Sequence, residues 1–165
     1  MSQFEPGVRN VRTQRLLGTP AMTQLASSVL DRGADLRFQA GGFSMEPFIR
    51  DGDIISLRKI PARQLKIGDI VAFTREEGSI LLIHRLLWKR NDRFKFKGDN
   101  NPFSDGWIKA SYILAKIIRV QRDSRDIKPL GRIGRLIVVL CSWLHGKRKK
   151  SVFLYKFLLA LGERY

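Results

Sequence analysis

From Leu36 to about Gln121 the chain is cut into short β-branched, aromatic or alternating runs by polar turns. That punctuation leaves few folds open. Leu36 and Phe38 alternate with Arg37 and Gln39, the period of a half-buried strand. Asp53–Leu57 and Ile70–Thr74 read as strands, and Arg75–Ser79 as the turn into a returning strand, Ile80–Trp88. Asn91-Asp92 turns the chain again into Phe94–Phe96, and Ile113–Val120 is the last strand. Many short strands joined by turn residues imply a mainly β domain, a sandwich or a barrel.

The flanks differ in kind, so the chain divides into residues 1–19, 20–122 and 123–165. Residues 1–19 carry Gly, Pro and Arg and read as a flexible arm without the apolar core of a secretory signal. A short amphipathic helix is expected over 21–32. Pro20 starts it, Gly33 ends it, and Met22, Leu25, Ala26, Val29 and Leu30 share one face. Gln121–Lys128 is mostly charged and reads as a linker. Beyond it, Ile133–Leu144 and Val152–Leu161 are apolar segments of helical length around Lys147-Arg148-Lys149-Lys150. No stretch reaches the roughly 20 apolar residues of a spanning helix. The tail reads either as a helical hairpin packed on the β-domain or as a pair of interfacial helices with a basic loop on anionic headgroups. The second is the expectation, because a small β-domain has limited surface on which to bury both. A membrane-associated protein without a spanning helix is the expectation, and a cytoplasmic one the alternative.

Charge and ligand-forming residues narrow the chemistry. A net charge of +16 calls for an anionic partner, and nucleic acid or an anionic membrane face both qualify. One cysteine, Cys141, excludes an intrachain disulfide framework. With only His84 and His145 beside it, no metal site and no cofactor are expected.

Three elements carry possible reactivity. In Gly41-Gly42-Phe43-Ser44-Met45-Glu46-Pro47 a serine sits between a glycine pair and a proline, on a loop. A tight turn there exposes the hydroxyl and offers the Ser44 N–H to an oxyanion. His84 lies in an otherwise apolar strand, Leu81–Leu87. A lone histidine there is more often a core residue, but burial favours the neutral form that a general base requires. Lys97-Gly98-Asp99-Asn100-Asn101-Pro102-Phe103-Ser104-Asp105 is dense in turn residues and holds two acids, either able to orient an imidazole.

Ser44-Met45-Glu46-Pro47 with Gly52-Asp53, Lys66-Ile67-Gly68-Asp69-Ile70-Val71, His84-Arg85, and Gly98-Asp99-Asn100-Asn101 with Asp105 follow one another in that order. Together they resemble the boxes of type I signal peptidases and of the related self-cleaving repressor peptidases, S24/S26-type serine peptidases. The resemblance covers roughly residues 36–120, about half the chain. Histidine in place of the lysine base is similar to the archaeal and endoplasmic-reticulum type. It implies a mainly β peptidase domain in which Ser44 is the nucleophile, His84 the base and Asp105 the orienting acid. Asp99 is the alternative acid. Peptide or preprotein substrates with small side chains at the cleavage site are implied.

Three departures accompany the likeness. The spanning helix that usually precedes the serine box is not expected here, the helix over 21–32 being too short. Gly42 stands where many members carry a second serine whose hydroxyl holds the oxyanion, and Phe43 replaces a small residue. The tail is strongly basic and apolar. The rival readings are a catalytically inactive peptide-binding member and a nucleic-acid-binding β-barrel. The latter would use Phe38, Phe73, Trp88, Phe94 and Phe96, but aromatics at alternating strand positions are more often core than stacking platforms.

Overall fold

The computed structural model describes residues 20–76 and 79–127. The expected arm over 1–19 and the expected tail helices beyond residue 127 lie outside these residues.

Helix α1 (Pro20–Asp31) leads into β1 (Leu36–Gln39), β2 (Ile54–Arg58), β3 (Ile70–Phe73), β4 (Leu82–Arg90), β5 (Arg93–Lys97), β6 (Trp107–Lys109), β7 (Ile113–Arg122) and β8 (Arg125–Asp126). The strands pair antiparallel in the order β1-β2-β7-β3-β4-β5-β6, with β8 on β7. β3 to β6 follow one another in sequence. β7 then crosses back to insert between β2 and β3.

The Ile-Val-Ala-Phe run of β3 is buried on both faces, because each face covers a different core. Ile70 and Ala72 join α1 (Ala26, Leu30) and the inner residues of β1, β2 and β7. Val71 and Phe73 join Leu65, Leu86, Phe94, Phe96 and Ile108. Phe73 and Phe96 stack there with centroids 4.2 Å apart. A fully buried side chain of this size contributes about 1.5–3 kcal/mol relative to exposure.

Several details differ from the sequence expectation. The buried face of α1 is Met22, Thr23, Ala26 and Leu30, and Leu25 is exposed. The expected linker instead begins as a hairpin: β7 runs to Arg122, Asp123 and Ser124 turn with positive φ, and β8 returns. The 107–109 strand was not expected. Of the five aromatics, Phe38, Phe73, Phe94 and Phe96 are core, but Trp88 is 60% exposed. The β4–β5 register shifts between Leu86 and Trp88. The extra residue reverses the alternation, so Leu86 enters the core and Trp88 leaves it.

A buried ion pair fixes the loop between β1 and β2. Both Asp53 carboxylate oxygens accept from Arg122 of β7, at 2.9 and 2.8 Å. Arg122 also donates to the Phe48 carbonyl, and Asp53 Oδ2 accepts the Arg50 N–H at 2.8 Å. Removing one partner strands a buried charge. Asp53→Ala is therefore expected to lower stability by about 3–5 kcal/mol in urea unfolding. A loss below about 1 kcal/mol would show that the pair does not anchor the loop.

Candidate active site

The loop carrying Ser44 is pinched at its base. Ala40 N–H donates to the Asp53 carbonyl at 2.7 Å, and Gly52 N–H to the Ala40 carbonyl at 2.9 Å. Met45, Phe48 and Ile49 are buried in the first core. The loop is thus held on its apolar side, and Ser44 sits half-buried at its corner. Gly42 adopts φ 86°, a conformation that favours glycine, and donates its N–H to Asp51 Oδ1 at 2.9 Å. That N–H is therefore occupied. The Ser44 N–H has no acceptor among the described residues.

Ser44, His84 and Asp105 form one hydrogen-bonded chain. Ser44 Oγ lies 3.1 Å from His84 Nε2, and Asp105 Oδ2 lies 2.7 Å from His84 Nδ1. A proton on Nδ1, donated to the carboxylate, leaves the Nε2 lone pair facing the hydroxyl. The His84 and Asp105 side chains are only 6% and 4% exposed. Phe73 packs against the imidazole, and the Asp105 N–H donates to the Phe96 carbonyl at 2.9 Å, tying the acid to the end of β5. The second oxygen, Asp105 Oδ1, accepts from Arg75 at 3.1 Å.

The other acid faces elsewhere. Asp99 accepts from Arg85 Nε at 2.8 Å and Nη2 at 2.6 Å, while Arg85 Nη1 donates to the Gly68 carbonyl. The Arg85 guanidinium also lies 5.2 Å from the Phe48 ring centroid, beneath the serine loop. Because consecutive strand residues point to opposite faces, His84 and Arg85 address different acids.

The turn after β5 closes against the serine loop. Asn100 donates its N–H to the Ser44 carbonyl at 2.8 Å and its side-chain amide to the Phe43 carbonyl at 3.2 Å. A Cβ on Gly98 would sit 2.7 Å from the Ser44 carbonyl oxygen, so only glycine allows this approach. Lys97 is buried beside these groups. Burial pushes its ammonium below the usual lysine range, against the attraction of Asp99 and Asp105.

A cleft of about 130 Å³ opens beside Ser44 and His84. Its walls are the 40–42 segment after β1 and Leu81–Ile83 at the start of β4, with Met45, Ile49 and Ile55 behind. The lining is short or aliphatic, which suits a small apolar side chain. Among the described residues no group of three His, Cys, Asp or Glu is placed to hold a metal ion.

Sequence reasoning did not identify Arg75 or Asn100 as site residues. Arg75 reads as a turn residue, and nothing local links it to an acid 30 positions later. The Asn100 contacts span 56 and 57 positions, also beyond any sequence pattern.

A family model described as Peptidase S24-like matches residues 6–118. The signal peptidase complex catalytic subunit SEC11 of Candida tropicalis is 41% identical over 66 residues, covering 38% of this chain and 39% of that protein. The SEC11 subunits of Lodderomyces elongisporus and Clavispora lusitaniae are 39% and 38% identical over the same length. The chain thus spans about two fifths of the length of these curated relatives.

Asp99→Asn should leave Arg85 buried without its counter-charge and lower stability by about 3–5 kcal/mol in chemical denaturation. A variant as stable as the wild type would refute that account of Asp99. Lys97 gives a pH test. Its folded pKa is depressed, so the unfolded chain binds more protons between that value and 10.5. Stability should therefore gain a contribution as pH rises through this window. Lys97→Met should remove the gain, read as a smaller alkaline change in the urea midpoint.

Proposed function

The chain belongs to the Peptidase S24-like family, and from that premise we propose that it is a serine endopeptidase of the signal peptidase type, cleaving signal or leader peptides. The observation that carries this reading is the continuous Ser44–His84–Asp105 hydrogen-bond chain beside an apolar cleft. The SEC11 likeness supports the substrate class, since those relatives are catalytic subunits of a signal peptidase complex.

In the proposed reaction a substrate segment lies in the cleft between 40–42 and 81–83, with its backbone added as a strand. A small side chain beside the scissile bond fills the space near Ala40 and Ile83. His84 Nε2 takes the Ser44 Oγ proton as Oγ attacks the carbonyl carbon. Asp105 holds the ring and stabilises the imidazolium. The Ser44 N–H donates to the oxyanion. The C–N bond breaks as His84 returns the proton to the leaving amine, and water, deprotonated by His84, then hydrolyses the acyl-enzyme.

With Gly42 supplying no hydroxyl and its N–H held by Asp51, the oxyanion rests on fewer donors than in serine-bearing relatives. One donor is worth about 10²–10³ in rate, so slow turnover is part of the reading. Arg75 shares Asp105 with His84 and steadies the carboxylate from the solvent side. An anionic membrane surface reached through residues 123–165, preprotein substrates and partner subunits complete the proposal.

A fluorophosphonate probe should label the wild type and leave Ser44→Ala unlabelled. Ser44→Ala and His84→Ala should each abolish peptide cleavage with the far-UV spectrum retained. Equal turnover by wild type and Ser44→Ala would end the enzyme reading. Asp105→Asn should lower kcat by about 10²–10⁴, the scale of losing an orienting acid. Asp99→Asn, once its stability loss is allowed for, should cost far less. The reverse order in two folded variants would move the role to Asp99.

A further inference from the structure

The outer part of the β4–β5–β6 corner presents an open, cationic face. Trp88, Lys95 and Trp107 lie directly opposite one another across the three strands, and Arg90, Arg93 and Lys109 form the next row. Period-2 alternation puts both rows on one face, opposite the buried Phe94 and Ile108. Trp88 and Trp107 are 60% and 45% exposed, and Arg90, Arg93 and Lys109 are exposed too.

Among the described residues no carboxylate forms an ion pair with the cations of this face. On β7, by contrast, Lys116, Arg119 and Arg122 pair with Asp69, Asp126 and Asp53. Among the described residues Arg90, Arg93, Lys95 and Lys109 form no ion pair. No acid occupies either row. The nearest in sequence, Asp92, is in the β4–β5 turn.

We propose that this face, with its Trp88–Lys95–Trp107 row and flanking Arg90, Arg93 and Lys109, docks the β-domain on an anionic lipid surface. Indole rings partition to the headgroup level of a bilayer, and cations beside them are drawn to anionic headgroups. Two indoles about 10 Å apart, two strand spacings, bracket one ammonium in a flat array. A single-stranded nucleic acid would ask for open ring faces on which bases stack. Here Lys95 Nζ lies 5.9 Å from the Trp107 ring centroid, over the face that a base would need. Trp107 is still 45% exposed, which suits a headgroup layer. The docking site does not depend on the peptidase reading.

The test uses the full chain with phosphatidylcholine vesicles and with vesicles containing 30% phosphatidylglycerol. Wild-type protein should co-sediment with the anionic vesicles and weaken as salt is raised. Arg93→Glu/Lys95→Glu and Trp88→Ala/Trp107→Ala should each weaken that partition by about tenfold or more. A second measurement leaves the surface intact. In Trp143→Phe, the emission from Trp88 and Trp107 should be quenched by brominated anionic lipids. Full binding by folded surface variants would overturn the proposal and leave docking to residues outside the face. Unquenched emission from bound protein would overturn it equally. So would tight binding of a single-stranded oligonucleotide, lost in the same variants, with no vesicle binding.

Discussion

The register of β3 against β4 sets Val71 opposite His84 and Ile70 opposite Arg85. Everything near Ser44 depends on that pairing. His84 is turned toward Phe73, Ser44 and Asp105, while Arg85 is turned toward Phe48, Gly68 and Asp99. A slip by one residue would exchange the two faces and put a guanidinium where the imidazole stands. The register is held because β3 is buried on both sides, so both alternating sets of its residues already have a core to fill.

Around that strand pair the loops are captured by the same device. Each turn offers a carboxylate, and the sheet answers with a basic group: Asp53 with Arg122, Asp99 with Arg85, Asp105 with His84. Bidentate arginine pairs give orientation as well as attraction, which suits a loop that must present one hydroxyl at one place. Their partners are buried, so each contact trades desolvation against Coulomb energy. Their value here is positional. The arginines of the Asp53 and Asp99 pairs both meet the serine loop at Phe48, one at its carbonyl and one at its ring, and Asn100 joins that loop to the turn after β5 through the Ser44 and Phe43 carbonyls.

The excess positive charge is unevenly placed. On β7 the cations are matched by acids and serve the fold. On the outer corner of β4–β6 they pair with no carboxylate among the described residues, beside two exposed indoles. One extra residue at Leu87 produces this contrast. Before it the strand feeds Leu86 to the core, and after it Trp88 faces out while Lys89, on the other face, donates to the Leu65 carbonyl.

The linear chain determined the class of fold and the order of its parts. Alternation and turn residues mark β1 to β5 and β7 within a residue or two, since strand periodicity and turn chemistry are local. The boxes around Ser44, His84 and Asp105 were legible because each sits in a short local pattern. Other features required the folded chain. The short Trp107–Lys109 strand has too few residues to show a period. The hairpin at Asp123-Ser124 hides in a charged run that carries no hydrophobic signal. The burial of Thr23 rather than Leu25 depends on which side of α1 meets the sheet. The resemblance already implied Asp105 as the orienting acid with Asp99 as the alternative, and what tertiary structure added is the contacts, Asp105 with His84 and Asp99 with Arg85. The two acids share one turn-rich segment, and only the pleat of β4 sends His84 to one and Arg85 to the other.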